Sequence, residues 1–142
     1  MEFDQAKRLR ASIQNVNTYI SKELKEHQVG YGQIEYFITI FFNPGLSQNE
    51  LSKKLFVTKA SVTKALKVLE TEGYIERKSS AEDKRELRCF VTKKGEAIVE
   101  TFLPKADKIR STLFHGFSND EMETYMRLTM RFYENSCNLL VD

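Results

Sequence analysis

The sequence predicts a mostly α, α+β fold of about six helices with one two-stranded hairpin among them. Three observations predict it. Long apolar stripes at helical spacing occupy both ends of the chain, two short capped helices lie near the middle, and a polar turn separates two alternating runs, Tyr74 to Lys78 and Leu87 to Val91.

The first stripe is Leu9, Ile13, Val16, Ile20 and Leu24, which recur at three- and four-residue steps and predict a helix from about Asp4 to His27. Tyr31 to Phe42 is apolar on most sides, with Ile34, Phe37, Ile38, Ile40, Phe41 and Phe42. It reads as a buried helix ended by Asn43-Pro44-Gly45. A capping box follows, in which Ser47 caps the third backbone N–H and Glu50 reaches back. Leu51 and Leu55 then face a core, while Lys53 and Lys54 face solvent.

The chain turns at Phe56-Val57-Thr58. Thr58 is the expected cap of a second short helix, with Val62, Ala65, Leu66 and Leu69 on one stripe and Gly73 where a left-handed C-terminal residue is wanted. Its opposite face carries Lys59, Ser61, Thr63, Lys64 and Lys67. The hairpin comes next, strands Tyr74 to Lys78 and Leu87 to Val91 around a polar turn from Ser79 to Arg85. Asp83 either pairs with Arg77 across the hairpin or is a plain turn acid, and the pairing is the reading adopted.

After Thr92 a helix carries Ala97, Ile98, Phe102, Ala106, Ile109, Leu113 and Phe114. Pro104 is expected to kink it and Gly116 to end it. Ser118 to Glu121 is a second capping box, opening a helix striped by Met122, Tyr125, Met126, Thr129, Tyr133, Cys137 and Leu140. Both chain ends thus carry helical faces that need covering, most simply by a second copy in a two-fold dimer.

Charge is unevenly placed. The net charge is +2, yet Lys53 to Lys94 holds 12 Lys or Arg against 6 Asp or Glu, a local +6, leaving −4 elsewhere. Cations and small hydroxyls on one helix face, followed by a hairpin with Arg77, Lys78, Lys84, Arg85 and Arg88, read as a winged helix-turn-helix that docks on DNA. Lys53, Lys54, Lys64, Lys67 and Lys78 are expected on phosphates, and Lys59, Ser61 and Thr63 at base edges. Ser47 and Thr58, at the helix starts, complete the expected DNA-binding set.

The same residues carry a resemblance. Ser47-x-x-Glu50-Leu51-Ser52, Val57-Thr58-x-x-Ser61-Val62-Thr63 and Leu66-x-x-Leu69-Glu70-x-x-Gly73-Tyr74-Ile75-x-Arg77 resemble the MarR (multiple antibiotic resistance regulator) family of bacterial transcription regulators. Asp83-x-Arg85 and Val91-Thr92-x-x-Gly95 are similar to that family's wing signature, with Val91 where Leu is usual. The motifs cover about a third of the chain. The resemblance implies a homodimer whose helix from Thr58 to Glu72 reads a major groove while Arg85 reaches the flanking minor groove. It also implies a regulator, most often a repressor, at a pseudo-palindromic operator.

The expected organisation is a helical dimerisation region, 1–30 with 93–142, around a DNA-binding lobe, 31–92. Members of the family often bind small aromatic anions between these parts. By that resemblance Tyr19, Tyr31, Tyr36, Phe37 and Phe41 would line an effector cleft, with Arg8 or Arg10 near an anionic group. Aromatic residues at helical spacing are otherwise core.

Several classes are excluded. The chain has no Gly-rich phosphate loop, Ser-centred elbow or HExxH, so no enzyme is expected. No cysteine precedes Cys89, which disfavours the family's peroxide-sensing branch, and His27 and His115 are too few and too far apart for its zinc-sensing branch, so neither metal nor cofactor is expected. Met1 to Arg10 lacks a signal-peptide core and no apolar run reaches the ~20 residues of a membrane span, so a cytoplasmic location is expected. The rival reading is a winged-helix protein-interaction module without specific DNA binding, whose exposed face would tend to be apolar or acidic.

Overall fold

A computed structural model describes residues 3–141 in the order α1 (Asp4–Glu23), α2 (Tyr31–Phe42), β1 (Leu46–Ser47), α3 (Gln48–Leu55), α4 (Lys59–Thr71), β2 (Ile75–Ser79), β3 (Leu87–Val91), α5 (Lys93–Leu113) and α6 (Asn119–Cys137). Residues 1, 2 and 142, which the expected terminal regions include, lie outside the described residues. The fold is a winged helix: six helices and a small antiparallel sheet. The chain forms two compact units, one running to Lys105 and the other from Ala106, with α5 contributing to both.

The helix starts follow the sequence. The Ser47 hydroxyl accepts from Glu50 N–H at 3.2 Å while the Glu50 carboxylate takes Ser47 N–H, and Ser118 with Glu121 repeats the arrangement at α6. Thr58 Oγ1 accepts from Ser61 N–H at 3.1 Å. Each cap satisfies donors that the first helical turn leaves without an internal partner. α5 runs through Pro104, whose exposed position leaves the missing N–H on the solvent side.

Three features differ from expectation. α1 ends at Glu23 rather than near His27, because the chain turns there and buries Leu24 and Val29, which anchor the turn to the core. α2 is buried along Ile34, Tyr36, Phe37 and Ile40, but Tyr31 and Phe42 at its two ends are exposed. The two-stranded wing is a three-stranded sheet in the order β1-β3-β2, with Leu46 opposite Cys89 and Ile75 opposite Val91. A two-residue strand has no period to read, so β1 was not visible in the sequence.

The core of the first unit is Phe37 and Ile40 from α2, Leu51 from α3, Val62, Leu66 and Leu69 from α4, Cys89 from β3 and Val99 from α5, all fully buried. Each large apolar side chain taken from water contributes ~1.5–3 kcal/mol. In the second unit the rings of Phe114, Phe117 and Tyr125 meet edge to face, Phe114 to Tyr125 at 5.2 Å. α6 has no buried residue among those described, and Met126, Met130 and Phe132 are each more than 60% exposed.

Candidate nucleic-acid interface

The position of α4 is set from both ends and from behind. Behind it, Val62, Ala65, Leu66 and Leu69 face the core, which turns Lys59, Ser61, Thr63, Lys64 and Lys67 outward, all exposed. At its C-terminus Gly73 takes φ +75°, Gly73 N–H donates to Glu70 O and Tyr74 N–H to Leu69 O at 2.9 Å. This 5→2 and 6→1 pair is a Schellman closure, and only glycine reaches that φ without cost. Tyr74 then stacks on Phe37, with ring centroids 5.8 Å apart.

The turn into α4 is made without glycine. Phe56 closes α3 at φ 55°, ψ 42°, with Val57 N–H donating to Ser52 O. A left-handed aromatic residue is uncommon, and here it sets the angle between the two helices of the motif.

The hydroxyls on α4 are already committed. Thr58 Oγ1 donates to Ser61 Oγ at 3.0 Å, and the Tyr36 phenol, reaching from α2, also engages Ser61. Burial first, then the charge of Glu35, push the Tyr36 phenol up, opposed by the Ser61 bond. Thr63 Oγ1 donates to Lys59 O at 3.0 Å and accepts from Gln48 Nε2 at 3.0 Å. Gln48 was not among the residues expected here, since nothing in a 15-residue separation signals contact.

At the hairpin the structure corrects one pairing. Arg77 does not meet Asp83. Its guanidinium grips the Glu70 carboxylate through Nε and Nη2, tying β2 to the end of α4. That bond holds the Glu70 carboxyl below its usual range and raises Arg77. Asp83 Oδ1 instead accepts from the Arg85 backbone N–H at 2.9 Å, so the Asp-x-Arg spacing is an Asx turn. Ser80 Oγ takes Glu82 N–H and Ser80 N–H donates to Glu86 O, closing the loop and leaving Lys84 and Arg85 exposed at the tip.

The remaining expected cations divide. Lys53 and Lys54 are exposed on α3. Lys78 is exposed, 3.1 Å from Glu76 and over the Phe90 ring. Arg88 is half-buried, donating to Gly45 O at 2.9 Å and to Glu86, so it fastens β3 to the approach to β1. Ser47 is buried at 4% exposure with its hydroxyl spent on the cap, which leaves it no surface to offer. Arg77 and Arg88 are thus anchors of the wing, a role that charge counting alone does not reveal.

The exit from the sheet explains the Thr-x-x-Gly motif. Thr92 Oγ1 donates to Gly73 O at 2.7 Å and accepts from Gly95 N–H at 3.2 Å, joining the end of α4 to the start of α5. Lys94 Nζ adds a bond to Glu72 O and lies 5.0 Å from the Tyr74 ring centroid. Cys89 faces the core from β3, its thiol pushed up to about 11 mainly by burial.

The aromatic residues expected around an effector differ in burial. Phe37 and Tyr36 belong to the core, Phe41 is half-buried against Phe42, and Arg8 is exposed on α1. Tyr31 and Arg10 do line one groove of about 520 Å³, with Ile13 and Asn17. Tyr19 is half-buried on the same helix. Among the described residues no three His, Cys, Asp or Glu gather as a metal site, and no helix is long and apolar enough to cross a membrane.

A basic helix held outward by its own core, beside a sheet ending in a cationic tip, defines a winged helix-turn-helix protein of the DNA-binding transcription-regulator class. A family model described as MarR family matches residues 38–86. The chain is similar to the uncharacterized HTH-type transcriptional regulator YybA of Bacillus subtilis, at 27% identity over 80% of this chain and 75% of that one. It is also similar to the HTH-type transcriptional repressor YetL of the same organism, 33% identical over 63% of this chain and about half (53%) of YetL's length. Streptococcus pneumoniae FabT, solved in complex with DNA, superimposes with a TM-score of 0.74 at 25% identity, covering 97% of this chain and 99% of FabT. Over residues 38–86 the chain is thus similar to the MarR family, transcription regulators that act by binding DNA and are not enzymes.

Proposed function

We propose that this regulator binds DNA sequence-specifically as a cytoplasmic homodimer at a pseudo-palindromic operator and represses transcription by occluding a promoter. The observation that carries the reading is the outward face of α4 with its neighbours: Lys53, Lys54, Lys59, Lys64 and Lys67 exposed on two helices and Lys84 and Arg85 exposed on the wing. In this reading the lysines meet phosphates, Ser61 and Thr63 approach base edges in the major groove, and Arg85 enters the minor groove, where negative potential favours arginine. Thr58, spent on its cap, positions the helix, while Arg77 and Arg88 hold the wing and touch DNA little. YetL's description as a repressor and FabT's complex with DNA support the direction of the proposal.

Dimerisation is supported by apolar faces open to solvent, Leu9 and Ile13 on α1 and Met126, Met130 and Phe132 on α6. Exposed apolar area of this extent on a small chain favours a partner. The lobe 31–92 then carries the DNA surface, and 1–30 with 93–142 the dimer contacts. An aromatic or anionic effector would fit the groove at Arg10 and Tyr31 better than the buried aromatics of α2. An interaction module without DNA binding is disfavoured, because the outward face is neither apolar nor acidic.

Anisotropy titration of a labelled random duplex across a salt series tests the reading. Binding whose affinity falls steeply with salt, together with sedimentation at twice the 16.6 kDa chain mass, is expected. Absent or salt-insensitive binding would overturn it.

A further inference from the structure

We infer that Gln48, the first residue of α3, reads the operator together with Thr63 as a single hydrogen-bonding unit, and that the unit selects adenine at one position of each half-site. This rests on the major-groove docking proposed above and adds a specificity-determining residue to it. The pair, Gln48 half-buried and Thr63 exposed, joins the two helices of the motif, Gln48 Nε2 donating to Thr63 Oγ1 at 3.0 Å.

The proton count assigns its chemistry. The Thr63 hydroxyl hydrogen is directed at the Lys59 carbonyl, one turn back on α4. Thr63 therefore has only lone pairs left, and Gln48 must present its NH₂ end to one of them, which settles the orientation of the carboxamide. Thr63 keeps an acceptor, and Gln48 keeps its carbonyl oxygen and one N–H. Adjacent acceptor and donor on a carboxamide complement adenine, whose N6 amino group donates and whose N7 accepts in the major groove. Guanine shows two acceptors there and leaves the Gln48 oxygen unmatched. Thr63 holds the carboxamide so that its rotamers need not be frozen on binding, and preorganisation of this kind favours discrimination over bare affinity.

The unit also separates Gln48 from the neighbouring cations. Lys53, Lys54, Lys64 and Lys67 on the same two helices suit any phosphate and carry no sequence information, whereas the Gln48–Thr63 pair is neutral and directional. Loss of the pair should change which duplex is preferred more than how tightly duplexes are bound in general.

The test begins with a site selected from a random pool by the intact protein and then varied one base pair at a time. Wild type, Gln48→Ala, Thr63→Val and the double variant are titrated against the set at fixed salt, with thermal unfolding as the check on folding. Wild type should prefer A·T at one position of each half-site by about 5- to 100-fold, the range of a good bidentate contact. Gln48→Ala and Thr63→Val should each erase most of that preference, and the double variant should be no worse than Gln48→Ala, the non-additivity of a coupled pair. Gln48→Glu, which has no N–H to give purine N7, should move the preference at that position from adenine to cytosine. A sequence-specific wild type whose base preferences survive Gln48→Ala would overturn this inference and leave the proposed function standing. A wild type with no sequence preference at all would overturn both.

Discussion

Gly95→Ala puts the tightest of the glycine sites to a direct test. A Cβ built at Gly95 lies 2.2 Å from the Tyr74 carbonyl oxygen, 2.9 Å from Val91 Cγ1 and 3.0 Å from Phe37 Cε2. Ordinary carbon contacts sit at ~3.5–4.0 Å, so all three neighbours must give. The carbonyl is the least able to, because it accepts Thr92 N–H at 3.0 Å at the junction that carries α4 into α5. Overpacking costs ~1–3 kcal/mol, and weakening the Tyr74–Thr92 bond adds ~0.5–1.5 kcal/mol. Alanine returns ~1 kcal/mol of helix propensity at this helical position. The balance is a loss of about 0.5–3.5 kcal/mol, which for a chain of this length lowers Tm by roughly 2–17 °C. Gly32→Ala is the matched control, since its Cβ would meet nothing within 4 Å, and it should stabilise by ~0.5–1 kcal/mol. Thermal unfolding followed by circular dichroism at 222 nm reads both. A Tm for Gly95→Ala equal to or above wild type would mean that propensity outweighs the contacts and would refute the packing argument.

Removing one exposed cation at a time should grade the interface: Lys64→Ala should lower affinity similarly for all duplexes and reduce the salt slope by about 1. Arg85→Ala should weaken binding most at sites with a narrow flanking minor groove, and unchanged affinity in both variants at fixed salt would sink the docking geometry. The Glu70 carboxyl is held low by Arg77, so the stability this pair supplies is full above the ordinary glutamate range, ~4.3, and is lost as pH falls through the lower folded value. Because Glu70 is well exposed the contribution should stay below ~1 kcal/mol, and Arg77→Ala should flatten that part of the acid-unfolding curve. Cys89, buried with its thiol raised to about 11, should resist alkylation in the native protein at pH 8 and react only on unfolding. Mass spectrometry of labelled peptides reads this, and native-state labelling of Cys89 at the rate of a free thiol would contradict its burial.

Whatever depends on neighbours within one turn or one strand was legible in the sequence. The capping boxes at Ser47 and Ser118, the Thr58 cap, the Gly73 closure and the Val62–Leu69 stripe are local hydrogen-bond and periodicity rules, and they placed the helices and the outward face of α4. The third strand was hidden because two residues show no alternation, and the early end of α1 because the burial of Leu24 and Val29 comes from packing. The charge of the wing was also plain, but its division was not. Which cations face outward and which are spent on the protein depends on partners far along the chain, Glu70 for Arg77 and the Gly45 carbonyl for Arg88. Gln48 shows the same limit from the other side: composition marks it as one polar residue among many, and only the crossing of α3 and α4 brings its carboxamide to Thr63. The sequence by itself therefore determined the helices, the hairpin, the family resemblance and the sign of the surface. The tertiary structure decided the role of each polar side chain, because a hydrogen bond is fixed by where its partner lies in space and residue type sets only what can be donated or accepted.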